Sequence, residues 1–256
     1  MDPEIVAALL VAATAAGWVD AVVGGGGLIL IPTLLVAFPT MAPATVLGTN
    51  KLTAITGTSV AAVTYARRTK LDRSVALSAA GLAVPSAGIG ALSASSLPAD
   101  WFRPLIMALL IGVAAFVTLR PNFGSVIETA DAVSGRRKLM AVGVAGCGVG
   151  FYDGVFGPGT GTFLIMSFTA LLSMEFLQSS ALAKIVNVGT NFGALTVFAV
   201  QGHILWTLGA GMAVCNVAGA TLGARTALKR GSGFIRGVLL VVVTALVIKL
   251  AVDQFG

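Results

Sequence analysis

Apolar runs, most of them close to twenty residues long, alternate with short gaps that hold most of the basic side chains. The runs cover 5–23, 28–38, 44–66, 75–97, 104–119, 139–156, 160–172, 179–200, 204–224 and 235–252. The hydrocarbon core of a bilayer is about 30 Å thick and takes roughly 20 helical residues to cross. Only helices and closed barrels satisfy their backbone in lipid, and no alternating strand pattern is present. Charged residues make up 10% of the chain, against about 25% in soluble domains, so a solvated shell around a single core cannot be built. The sequence therefore predicts an all-α polytopic membrane protein of roughly eight to ten membrane segments, with no sizeable extramembrane domain. The N-terminus, Met1-Asp2-Pro3-Glu4, lacks the positive region of a signal peptide, so the first run is expected to stay.

The formal charge of +6 could suggest nucleic acid, but the basic residues do not form one solvated face. Twelve of the 16 lie in three gaps: Arg67, Arg68, Lys70 and Arg73; Arg120, Arg136, Arg137 and Lys138; Arg225, Lys229, Arg230 and Arg236. The positive-inside rule puts all three gaps in the cytoplasm. The gap at 98–103 with Trp101, the stretch Gln201-Gly202-His203, and both termini then face outward. Trp101 and Trp206 fit the outer aromatic belt, and Trp18 is deep enough to line a cavity. The run 44–66 ends inside and 179–200 ends outside. The pairs 5–38 and 139–172 are each two crossings or a re-entrant hairpin broken at glycine.

The chain also matches itself at an offset of 133 residues. Gly17 falls on Gly150, Asp20 on Asp153, Gly24 on Gly157, Gly26 on Gly159, Lys51 on Lys184, and Tyr65 on Phe198. Glycines, acids and lysines inside apolar runs are costly residues to repeat by accident. With the opposite orientations, they predict inverted-topology repeats with a site near the midplane, built from interrupted helices. The expected units are a first membrane repeat at 1–119, a cytoplasmic connecting loop at 120–138, and a second membrane repeat at 139–256.

Two lysines carry the functional expectation. Lys51 and Lys184 are several residues into their runs, where each costs about 2.5–3.5 kcal/mol on insertion scales. They can attract a small oxyanion at the repeat interface, or each can pair with a buried acid. Lys184, Asn187 and Asn191 share one helix face with i, i+3, i+7 spacing, and Lys51 and Thr58 repeat the i, i+7 relation. Asn187, Thr190 and Asn191 supply donors beside the ammonium. Thr49 and Asn50 stand where they could cap a helix starting in the membrane. The tracts Gly24–Gly27 and Gly157, Gly159, Gly161 break helices, and the freed amides of Gly25, Gly26 and Gly159 suit an anion. Asp20 and Asp153 are either proton carriers or fixed counter-ions. Gly146, Gly150 and Gly154, and Gly219 with Gly223, are spaced for close helix packing. Cys147 and Cys215 read as packing residues, and His203 as an interfacial one. One histidine and scattered acids do not make a metal site; neither a cofactor nor enzymatic chemistry is expected.

The stretch GWVDAVVGGGGLILIP at 17–32, followed by GTNK at 48–51, resembles the first half of the sulfite exporter TauE/SafE family. The second half resembles it through GFYDGVFGPGTG at 150–161, KIVN at 184–187 with Thr190-Asn191, and GHILW at 202–206. The resemblance covers nearly the whole chain. It implies a multi-pass protein of the bacterial inner membrane that exports sulfite or a small organosulfonate. An uncoupled anion channel is the alternative; proton coupling and a homodimer stay open.

Overall fold

A computed structural model describes residues 2–95 and 133–255, and no strand occurs among them. The run at 104–119, the gap with Trp101, and Arg120 lie outside the described residues. Helix α1 is Pro3–Val23, α2 Gly26–Ala37, α3 Pro43–Ala66 and α4 Arg73–Ser95. After the central stretch come α5 (Gly135–Gly143), a π-helical turn (Val144–Val149) and α6 (Gly150–Val155), which run on as one helix. Then follow α7 (Thr160–Leu172), α8 (Phe176–Val200) and α9 (Trp206–Phe255). The sequence offset returns in the elements: α3 and α8 begin at 43 and 176, and α4 and α9 begin at 73 and 206.

Among the described residues, four helices, at Pro3–Val23, Arg73–Ala94, Phe176–Val200 and Trp206–Val242, are long and apolar enough to cross a membrane, and the chain is a multi-pass membrane protein. Helix α1 is long enough to cross by itself. Helices α2 and α7, of 12 and 13 residues, are only about 18–20 Å long. Each therefore acts as a half-length helix following a break.

Three boundaries differ from the sequence expectation. The helix after the central stretch starts at Gly135, so Arg136, Arg137 and Lys138 belong to it and not to a loop. Ser134 sets that start by accepting the Arg137 amide at 3.4 Å. Helix α3 starts at Pro43, a residue whose missing N–H suits the first helical turn. Thr49 and Asn50 thus lie inside α3 and cap nothing. The basic stretch Arg225–Arg230 is helical as well, and α9 breaks at Gly231, with φ 76° and ψ −168°.

Among the described residues, two buried apolar clusters form the core. One gathers Tyr65, Val75, Leu172 and Phe176; the other gathers Leu9, Leu47, Phe198 and Ile204. Between Leu47 and Ala61, α3 buries Thr49, Asn50, Lys51, Thr53 and Thr58. Between Val186 and Ala194, α8 buries Asn187, Thr190 and Asn191. A polar layer is thereby enclosed between two apolar ones. Helices α3 and α8 run antiparallel, since His203, just past the end of α8, meets Thr45 at the start of α3 with 3.2 Å between Nδ1 and Oγ1.

The fourth helix of each sequence repeat packs on the other repeat. Helix α4 lies along α8 and the 135–155 helix, while α9 lies along α1 and α3. Glycines make both contacts close. Gly150 and Gly154 face Ala83 and Ala87 of α4, and their counterparts Gly17 and Ala21 face Asn216 and Gly223 of α9. The small-residue spacing read from the sequence serves this packing.

Candidate functional site

Helix α1 ends at Gly24, whose φ of 77° is left-handed and unstrained only for glycine. The second repeat breaks at Gly157 and Gly159, with φ of 86° and 77°. The two breaks touch. The Gly24 and Gly161 backbones leave no room for a side chain at either glycine, and Gly27 lies against Gly157 and Pro158. Thr162 fastens the contact by donating to the Val23 carbonyl at 2.9 Å. The N-termini of α2 and α7, with their partial positive charge, meet here.

Each break carries an acid of its own repeat and a lysine of the other. Lys51 Nζ lies 2.7 Å from Asp153 Oδ1. Lys184 Nζ lies 3.2 Å from Asp20 Oδ2 and also donates to the Asp20 main-chain carbonyl. Lys51 is 1% exposed and Lys184 fully buried. Under the shift of 133 residues one pair becomes the other, so the contact is reciprocal in the manner of a two-fold interface. Neither ammonium is a free cation: each is neutralised by an aspartate, the second of the two arrangements open to the sequence.

The surroundings differ between the pairs. Asp20 Oδ2 also accepts from Thr58 at 3.0 Å. Asp153 Oδ1 accepts from Thr160, the first residue of α7, at 2.5 Å. Among the described residues, Asp153 Oδ2, Asn50 Oδ1 and Ser180 Oγ are buried without a hydrogen-bond partner. Asn187 Oδ1 accepts from Thr190 at 3.1 Å and from Asn191 Nδ2 at 3.3 Å, which ties the polar face of α8 together. Thr49 donates to Thr45 O at 2.7 Å and accepts the Leu205 amide at 3.0 Å, tying α3 to the residue just before α9. Gly26 approaches the Asp20 side chain so closely that a Cβ there would lie 2.7 Å from Asp20 Cβ. Gly25 caps α2 and Gly159 caps α7.

The sequence reading passed over Thr160, Ser180 and Thr162. For Thr160 the signal was present: a hydroxyl at the first helical position after a Gly-Pro-Gly break, one residue past Gly159. Trp18 packs edge-on against Phe234 with 6.2 Å between ring centroids. The two described cavities are lined by neither Lys51 nor Lys184.

A multi-pass helical bundle whose polar layer holds charges at touching helix breaks has the construction of a membrane transporter. The relatives agree. The chain is 38% identical over 250 residues to the probable membrane transporter protein ORF9 of Sinorhizobium sp, covering 98% of this chain and 94% of that protein. It is 33% identical over 260 residues to the probable membrane transporter protein YfcA of Escherichia coli K12, covering 100% and 93%. A probable membrane transporter protein of Haemophilus influenzae is 30% identical over 256 residues, covering 98% and 96%. The family model for the sulfite exporter TauE/SafE matches residues 9–250, and the chain belongs to that family. No solved structure matches it.

Proposed function

We propose that the protein exports a small oxyanion, sulfite or an organosulfonate of the sulfoacetate kind, across the bacterial inner membrane by alternating access. The moving parts are two inverted repeats, 1–119 and 139–256, joined through a cytoplasmic connection at 120–138. Both termini face outward. The observation that carries the reading is the reciprocal exchange of Lys51–Asp153 and Lys184–Asp20 across the two helix breaks. The antiparallel course of α3 and α8 supports the inversion, and the family supports the cargo.

A buried ion pair is charge-neutral, and an anion gains little from it while both partners are ionised. If a proton adds to Asp153 or Asp20, the acid becomes neutral and its lysine is left with an unmatched positive charge. A substrate oxyanion then takes the carboxylate's place. The amide and hydroxyl groups of Asn50, Thr49, Asn187, Thr190 and Asn191, with the glycine amides of Gly25, Gly26 and Gly159, replace its water. Loss of the proton restores the pair and expels the anion.

Counterflow in proteoliposomes tests this. Unlabelled sulfite or sulfoacetate trapped inside accelerates uptake of the labelled anion, while acetate does not, and proton movement in the same direction accompanies the anion flux. Labelled anion passing at channel rates with no acceleration contradicts alternating access. Acceleration by acetate alone contradicts the cargo.

A further inference from the structure

Away from the lysine pairs, a cavity of about 1090 Å³ opens between α3 and α9 near the N-terminus of α8. Its charged end is formed by Arg67, Arg68, Arg225 and Lys229. No acid lines it, and none of these four side chains forms a salt bridge among the described residues. The rest of the cavity differs in character. Val60, Val63 and Leu228 form an apolar wall, with Leu177 contributed by α8. Val60 stands two helical turns, about 10 Å, from Arg67 along α3. The cavity thus has an unneutralised cationic end and a hydrocarbon-lined flank running along the membrane-spanning helices.

The counterpart of this cavity in the repeat has a different lining. Shifted by 133 positions, Arg67 and Arg68 become Val200 and Gln201, while Arg225 and Lys229 correspond to Leu92 and Ser96. All four charges are missing at the equivalent place. With the repeats inverted, the equivalent place lies on the opposite side of the membrane, so the positive-inside rule accounts for the one-sided charge and puts these four residues in the cytoplasm. What points to a ligand is that the four are unpaired among the described residues and border an apolar flank.

We infer that this cavity binds an anionic phospholipid of the inner leaflet, its phosphodiester held by Arg67, Arg68, Arg225 and Lys229 and one acyl chain laid along Val60, Val63 and Leu228. Guanidinium groups match a phosphate with paired donors, and basic pockets between transmembrane helices on the cytoplasmic side are suited to such head groups. A small soluble oxyanion would use the charges and leave the apolar flank without a role. The inference does not depend on which anion is transported.

Native mass spectrometry of the purified full-length protein reads the result, with phosphatidylglycerol, phosphatidylcholine and inorganic phosphate as probes. Wild type should retain phosphatidylglycerol about tenfold better than phosphatidylcholine, and inorganic phosphate should not bind detectably. Arg225→Gln with Lys229→Gln, and separately Arg67→Gln with Arg68→Gln, should each bring the two lipids towards parity. Lys70→Gln with Arg73→Gln removes as much charge from the neighbouring cavity and should leave the preference intact. Equal retention of the two lipids by wild type overturns the inference. So does a preference that survives both cavity variants, or is lost equally in the Lys70/Arg73 control. Binding of inorganic phosphate with no preference among lipids makes the cavity a soluble-anion site and also overturns it.

Discussion

Lys184 donates to two acceptors of one residue, the main-chain carbonyl and the carboxylate of Asp20, at the last turn of α1 before its break. The ammonium thereby fixes both the charge and the end of the helix. Removing one partner of a buried pair costs about 3–5 kcal/mol, because the other is left charged without water. Lys184→Met is expected to destabilise by that amount. Lys184→Met combined with Asp20→Asn should recover most of it, since neither partner is then charged. Unfolding of both variants in matched detergent checks this, and a double variant no more stable than the single one contradicts it. Asp72 presents the opposite case, a surface acid. The Lys138 hydrogen bond, 2.7 Å long, holds its carboxyl below the usual carboxylate range, helped by the Val75 amide. A carboxyl depressed in the folded state stabilises above its unfolded value and loses that contribution as pH falls through the folded value. Asp72→Asn should therefore cost at most about 1 kcal/mol at neutral pH. The gap to wild type should close as the pH is lowered below about 4, followed by thermal unfolding at each pH.

Glycine does two separate jobs between and within the helices, and the sequence distinguished them only in part. The four-residue spacing of Gly146, Gly150 and Gly154 signalled close packing, and those residues do lie against α4. The tract Gly24–Gly27 signalled a break, but not which glycine turns the chain. Gly24 does so, and it also touches Gly161. Gly202 has almost the same φ, 76°, with nothing within 4 Å of a Cβ. Gly202→Ala should then cost only the left-handed strain of about 1–2 kcal/mol. Gly24→Ala adds an overlap with the opposite break and should cost clearly more, by thermal unfolding of the two variants side by side. Equal losses would mean that the breaks do not press on one another. Helix starts were less legible. Pro43 and Ser134 begin α3 and α5 ahead of the apolar residues, because a proline or a capping hydroxyl sets the first turn before hydropathy rises.

At the scale of the whole molecule, the repeated glycines, acids and lysines were readable because each is expensive in an apolar run. Their spacing carried the polar layer as well. What the spacing did not carry was partnership. Nothing within either half specifies that Lys51 meets Asp153 and not Asp20, or that α4 packs on α8. Such pairings depend on how two halves are laid together, and a self-match is blind to that. The arrangement makes a geometric prediction. Cysteines at Arg68 and Leu177 should react with a membrane-impermeant reagent from one side, and cysteines at Gln201 and Ala42 from the other. Labelling of all four from one side contradicts the antiparallel course of α3 and α8 across the membrane. The account rests most on the two exchanged pairs serving the anion. Its most direct measurement is sulfite flux in proteoliposomes with Lys51→Met/Asp153→Asn and with Lys184→Met/Asp20→Asn, each of which keeps the site uncharged and the fold intact. Flux at least about tenfold below wild type in both, a barrier difference of about 1.4 kcal/mol or more, is the predicted result. Undiminished flux in both variants would contradict it.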